Sequence, residues 1–307
     1  MSGLIPEITS SDSRFATPNY EGEYQKLIEN PEQLKDLEVR YLFEMAEQPF
    51  AAKDGYAIKN KIYFELIRDH PDATSEDILR VNCREGDLQR RNAKGGDEEA
   101  IKKAIEFLEG VNSGILEDTP IDTIAAIKQA LTQAYYHGKQ LDKAADILRK
   151  FCNDVRFKEL PPFRRAMMLE SLASFHLDLN DTEDAAAAIH DMHGMLIDQN
   201  LQPHEVPRAV GGFNHISGDL ELKRGRFGLA AEYYNALHTT FNPDLRNQIV
   251  GAIRFVQCKI LERKTDDPRF SEMGEFVKQK YAQLEPTDFV GLGDAWKFVA
   301  EELGIKE

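Results

Sequence analysis

Five of the eight histidines, His176, His190, His193, His204 and His215, fall within forty residues of one another. In His190-Asp-Met-His193 the i, i+3 spacing puts two imidazoles on one helical face, where they could present nitrogens to a single metal ion. A closed site needs one or two further ligands, and the spacing nominates none. His204-Glu205 lacks the second histidine of a metalloprotease helix. No metal, no cofactor and no catalytic residue is expected. Two short basic stretches also stand out: Arg90-Arg91 with Lys94, and Lys223-Arg224 with Arg226. Each sits beside a helix break. They read either as solvated turns favoured near helix C-termini, or as a rim where arginine grips the carboxylates of an acidic peptide in bidentate fashion.

The remaining chemistry is sparse. Cys83, Cys152 and Cys258 are widely separated and show no metal or redox spacing, so they read as buried thiols of a reducing compartment. Gly291-Leu-Gly293 lacks the third glycine and the preceding strand of a phosphate loop, and no Gly-x-Ser-x-Gly occurs. The start of the chain carries no basic segment followed by an apolar one, and no apolar run is long enough to cross a bilayer. The expected location is cytoplasmic.

The elements that must position these residues come from a recurring phrase. It runs from Leu131 to Ala144, from Leu172 to Ala185 and from Ser217 to Ala230, with a faint copy closing at Ala100. Each copy predicts an apolar first helix, a break, and a second helix whose first buried position is a small residue. Leu131, Ala134 and Tyr135 share one helical stripe, as do Leu172 and Phe175. Ile147, Leu148 and Phe151 continue the second helix's stripe, followed in later copies by Ile189 and Met192, then Tyr234 and Leu237. Gly138, Asn180 and Gly225 mark the breaks, where positive φ is needed. The closing alanine lets two helices approach closely. A fixed-period phrase of this kind means that one unit cannot bury its own apolar face and must stack on its neighbours.

These residues resemble the tetratricopeptide repeat family of paired-helix solenoids, over roughly residues 85–262. Leu172-Ala173, His176, Asn180-Asp181 and Ala185 follow the family's order; Gly218, Gly225, Phe227, Ala230, Tyr234 and Leu237 follow its later part. The resemblance implies an all-α fold: a right-handed α-solenoid of stacked antiparallel helix pairs, with N- and C-terminal capping helices. It also implies that His176, at a place the family fills with a packed aromatic, is a satisfied core histidine. The closing alanines are 44, 41 and 45 residues apart, whereas the family's usual unit is about 34. Prolines mark the joins at Pro120, Pro161, Pro162, Pro203, Pro207 and Pro243.

In that family the first helices of successive units line the ligand-binding face. The resemblance therefore implies a partner-binding surface of Gln129, Gln133 and Tyr136, then Glu170, Ser174 and Asp178, then His215, Asp219 and Lys223. Amides, carboxylates and an aromatic suit an extended peptide backbone. The basic clamp for a C-terminal carboxylate is replaced here by Gln129, Gln133, Ser171, Gly212 and Ile216.

The expected organisation is an extended arm over 1–30, capping helices over 31–84, the repeat solenoid over 85–262 and closing helices over 263–307. Phe15, Tyr20 and Tyr24 in the arm either pin it to the first helices or dock a partner. Pro31 opens a helix with Leu34, Leu37, Tyr41, Leu42 and Met45, and a second carries Tyr56 to Ile67. Ser75-Glu-Asp-Ile78 reads as an N-cap with first-turn acids. Arg246–Arg263 reads as a long helix, with closing helices over Phe276–Leu284 and from Thr287 or Asp294 to Leu303. The net charge of −15 argues against nucleic acid and against an anionic membrane surface. Two functions fit: a non-catalytic scaffold or adaptor for a protein or peptide partner, and a sensor whose groove closes on a small peptide or metabolite.

Overall fold

The computed structural model describes residues 38–39, 42–43, 63–93, 97–198, 201–239, 245–281 and 292–305. The expected arm over 1–30, the helix start at Pro31, the join at Pro243, and the start near Thr287 lie outside these residues. The described residues contain helices and no strand, so the all-α expectation holds. The chain divides into two compact units, Met1–Ala134 and Tyr135–Glu307.

The N-terminal unit is built on a helical segment over 63–69, then α1 (Ser75–Asn92), α2 (Glu98–Ser113) and most of α3 (Ile121–His137). Leu42, Phe43, Tyr63, Phe64, Ile67 and Val81 form its core. The start of α1 is a capping box: Thr74 Oγ1 accepts from the Asp77 N–H, and Asp77 Oδ2 accepts from the Thr74 N–H. The N-cap is therefore Thr74 rather than Ser75, since the reciprocal pair needs an acid three residues after the cap. Asp97 caps α2 by accepting from the Ala100 N–H. That places Ala100 in the first turn and half-exposed. The small residue buried in the faint copy is Ala104.

The C-terminal unit continues from Tyr135 through α4 (Leu141–Cys152), a 3-10 turn (Val155–Glu159), α5 (Pro162–Asp178), α6 (Thr182–Asp198), α7 (Val206–Lys223), α8 (Phe227–Thr239), α9 (Leu245–Glu262), α10 (Pro268–Tyr281) and α11 (Gly293–Leu303). Within it, α5 packs on α6, α7 on α8 and α9 on α10, and α5 also packs on α7. This is the stacked, tetratricopeptide-like arrangement of helix pairs expected from the phrase. Ala144, Ala185 and Ala230 are all fully buried. Each is the fourth residue of its helix, where two helices come together.

The breaks share one geometry. Lys139, Asn180, Gly225, Arg263 and Gly304 have φ between 58° and 70°. In each case the next residue's N–H reaches back five residues and the left-handed residue's N–H reaches back three, as for Asp181 to His176 (2.8 Å) and Asn180 to Leu177 (3.0 Å). These are Schellman caps, which satisfy carbonyls that a helix end otherwise orphans. In the first full copy the left-handed residue is Lys139, not Gly138: the cap falls at the eighth step from the start of the phrase in all three copies, whatever residue stands there.

Arg263 has the same cap, so α9 and α10 form a further helix pair. Consequently α10 begins at Pro268, well before the expected Phe276, with proline in its first turn. The α9–α10 turn is stitched by Lys259, 5% exposed, whose Nζ lies 3.0 Å from Asp267 Oδ2 and 3.6 Å from Glu262 Oε2. Arg269 fixes α10 to α8 through a bidentate pair with Glu232.

Candidate binding sites in the two units

In the C-terminal unit the last turn of α3 presents Tyr136, whose ring is 40% exposed. It tilts against Phe175 of α5 with centroids 5.6 Å apart, and its phenol interacts with the Asp178 carboxylate at the end of α5. Desolvation, then the Asp178 charge, hold the Tyr136 phenol above its ordinary range. The Asp178 carboxyl is raised, chiefly by desolvation. Lys223 pulls it down, and Asp219 pushes it up.

On α7, His215, Asp219 and Lys223 follow one another at i, i+4, so they share a helical face. His215 Nε2 lies 3.6 Å from Asp219 Oδ2. Asp219 Oδ1 also accepts, at 2.6 Å, from the hydroxyl of Tyr234 on α8. The Tyr234 ring is wholly buried, and desolvation pushes its phenol well up. Gly218 makes room for it: a Cβ there would lie 2.6 Å from the ring. Tyr136, Asp178, Asp219 and Lys223 are thus one electrostatically coupled set, flanked by His215, with protonated phenols on ionisable carboxylates.

Other expected site residues stand differently. Glu170 is tied to Arg208 of α7 at 3.2 Å, and Gly212 leaves the gap its carboxylate fills, since a Cβ there would approach it to 2.5 Å. It joins α5 to α7. Ser174 is half-buried, one turn before Asp178. His193 is exposed and stacks on Phe213 with centroids 5.1 Å apart, and His190 is exposed. His176 is a buried histidine as expected, at 2% exposure, but its Nδ1 has no hydrogen-bond partner of good geometry, so it is not satisfied in the way expected.

Gln129 and Gln133 belong to the N-terminal unit. There they line a cavity of about 500 Å³ together with Cys83, Arg84, Asp87, Arg90 and Arg91. Asp87 receives both arginines of the basic stretch: Arg90 Nη2 at 2.7 Å and Arg91 Nε at 2.7 Å. Two guanidiniums on one carboxylate leave positive charge on this lining. Arg224 and Arg226, in the second basic stretch, are bound within their own unit to Glu183 and to the buried Glu221. Burial pushes the thiols of Cys83, Cys152 and Cys258 up to about 12, so they stay protonated and unreactive near neutral pH.

Sequence reasoning missed two groups. Tyr234 was legible as a core stripe, yet its hydroxyl reaches the edge of the site. Asp87 gave no signal beyond its i, i+3 and i, i+4 spacing to Arg90 and Arg91.

No protein-family model and no curated protein sequence matches the chain. Among solved structures, it is similar to a Podosopora anserina structure assigned as a kinesin light chain with nearly identical TPR-like repeats. Identity is 14% over 66% of this chain and 97% of that one, with a TM-score of 0.48. A single-site variant of that protein gives 14% identity over 65% and 95%, with a TM-score of 0.49. BtubC (BKLC) from P. vanneervenii gives 16% identity over 81% and 92%, with a TM-score of 0.46. At such identities and scores these likenesses carry nothing about what this chain binds.

Proposed function

We propose that the chain is a non-catalytic scaffold or adaptor that binds a protein or peptide partner through the face of Tyr136, Asp178, Asp219 and Lys223, flanked by Ser174 and His215. The observation that carries this reading is Tyr136. A large aromatic stands open to solvent, yet the Phe175 ring packs against it, so less side-chain entropy is lost when a partner covers it. The carboxylates around it accept backbone N–H groups and basic side chains, and the phenols stay neutral donors across the physiological range. The three thiols are held protonated, which removes them as nucleophiles. No described helix is long and apolar enough to cross a membrane, and the charge of −15 opposes nucleic-acid phosphates. Tyr136→Ala should weaken partner binding by about 1–3 kcal/mol with unchanged far-UV circular dichroism. Normal binding by that variant, with binding lost on deletion of residues 1–30, would transfer the site to the arm.

A second reading is favoured by the cavity of the N-terminal unit. Arg84, Arg90, Arg91, Gln129 and Gln133 make a pocket for a small molecule or short peptide bearing carboxylate or phosphate groups, the sensor form of the function. A co-purifying anion, lost in the double variant Arg90→Gln, Arg91→Gln, would favour it over the scaffold.

A further inference from the structure

The break between α5 and α6 holds an arrangement that neither reading uses. His176 lies two residues before the end of α5 and is 2% exposed. Its Nδ1 sits 3.3 Å from Asp181 Oδ2 and 4.0 Å from Asp184 Oδ2. One ligand atom from each of the three side chains lies within 4.8 Å of the others. Nδ1 makes no hydrogen bond of good geometry. A buried ring nitrogen in that state loses its hydration without replacement, so some partner is called for.

The two carboxylates are oriented by the fold. Asp181 Oδ1 accepts from the Asp184 N–H at 3.2 Å, as an N-cap does, which leaves Oδ2 turned to the imidazole. Asp184, in the first turn of α6, is more than half-exposed, and its other neighbour is Arg149, 3.9 Å away.

The other copies of the phrase fill these places differently. At the position of His176 the first copy has Tyr135, whose ring lies under Lys143 Nζ at 5.3 Å. The last copy has Glu221, which accepts from Arg226 Nη2 at 2.7 Å. Both are completed by a cation that the chain supplies. The middle copy puts two carboxylates and an imidazole together, with Arg149 standing off at 3.9 Å from Asp184 Oδ2.

We propose that His176 Nδ1, Asp181 Oδ2 and Asp184 Oδ2 bind one divalent transition-metal ion, with water completing its coordination. One imidazole nitrogen and two carboxylate oxygens form a borderline-to-hard donor set, suited to zinc, cobalt(II) or manganese(II) rather than to copper(I). Ligand bonds of about 2.0–2.2 Å place tetrahedral neighbours roughly 3.3–3.5 Å apart. The His176–Asp181 pair already meets that spacing, and the exposed Asp184 closes the remainder by a small rotation. The ion joins the end of α5 to the start of α6, two residues from Asp178.

The full chain, stripped with a chelator and dialysed, is titrated with cobalt(II) by visible absorption and with zinc by calorimetry. The expected result is one ion per chain, with a thermal midpoint raised by metal. His176→Gln should abolish the cobalt spectrum. Asp184→Asn, at an exposed position that keeps the fold, should weaken binding at least about tenfold, whereas His193→Ala should leave it unchanged. No stoichiometric binding, or equal binding by Asp184→Asn, would make this cluster a plain histidine–aspartate contact and overturn the assignment. Loss of binding in His193→Ala would do the same and move the metal to α6.

Discussion

In the N-terminal unit two guanidiniums, Arg90 and Arg91, converge on the single carboxylate of Asp87. In the C-terminal unit two phenols, Tyr136 and Tyr234, face separate carboxylates, Asp178 and Asp219, and the Tyr234 hydroxyl donates to Asp219. The first arrangement leaves surplus positive charge beside a half-open cavity. The second leaves carboxylates offset only in part by Lys223 on an open face. On the proposed reading the two units select for opposite chemistry, anionic groups in one and N–H donors or basic groups in the other. An overall charge of −15 conceals this, because net charge describes the whole surface and a site is set by which charges are already paired.

The same contrast extends to packing, where the largest effects are expected. A Cβ on Gly251 would lie 2.8 Å from the Tyr234 carbonyl and the His238 backbone nitrogen, whereas a Cβ on Gly86 would meet side chains, Leu108 at 2.5 Å and Phe107 at 3.1 Å. Backbone cannot yield without moving a helix. Gly251→Val should cost about 3 kcal/mol or more in chemical denaturation, and Gly86→Ala about 1 kcal/mol. Equal costs would remove the distinction. Ala185→Leu and Ala230→Leu should fall between them, at about 1–3 kcal/mol.

Next in size are the buried charges. Asp267→Asn takes one partner from the buried Lys259 and should cost about 2–3 kcal/mol at neutral pH. Arg269, then Lys259, hold the Asp267 carboxyl below its ordinary value. Its stabilisation is therefore present above the unfolded-state value, near 3.8, and is lost as pH falls through the depressed folded value. Asp178 has the opposite sign. Its folded value is raised, so its stabilising contribution is full below about 3.8 and is lost as pH rises through the raised value. Asp178→Asn should accordingly leave neutral-pH stability unchanged or slightly higher while weakening binding of a basic partner. Wild-type affinity for that partner should fall as pH drops through the same raised value. A destabilised Asp178→Asn would show that the face is structural.

The smallest effect concerns the caps. Lys139→Gly should stabilise by about 0.5–1 kcal/mol, since glycine adopts positive φ without the steric cost borne by lysine. Gly225→Ala should cost a similar amount. These substitutions should leave binding at both sites untouched.

Much of the fold was legible because its signals are periodic. Leu131, Ala134, Leu148, Met192 and Tyr234 lie buried where the stripes place them. Misplacements arose where a residue type was weighed above its position. Gly138 looked like the left-handed residue, yet the cap is set by helix length, and Lys139 tolerates the conformation for about 1–2 kcal/mol. Ala100 looked like a crossing residue until the Asp97 cap fixed where α2 begins. The α9–α10 pair was hidden because its turn is longer and Arg263 carries no glycine signal. At the sites, the helical spacing placed His215, Asp219 and Lys223 on one face. It could not show that Glu170 is engaged by Arg208, or that Gln129 and Gln133 line a cavity, because both depend on contacts between helices distant in sequence. The His176 cluster had a signal in the acids Asp181 and Asp184 at fixed steps of the phrase, but its convergence depends on the cap geometry.

The central claim, that the open face around Tyr136 binds a protein partner, is tested most directly by affinity capture with full-length wild type and Tyr136→Ala side by side, read by quantitative mass spectrometry. The expected result is a stoichiometric protein retained by wild type and depleted at least about tenfold by the variant, as loss of an anchor worth more than 1.4 kcal/mol requires. Equal retention by both proteins would contradict the claim.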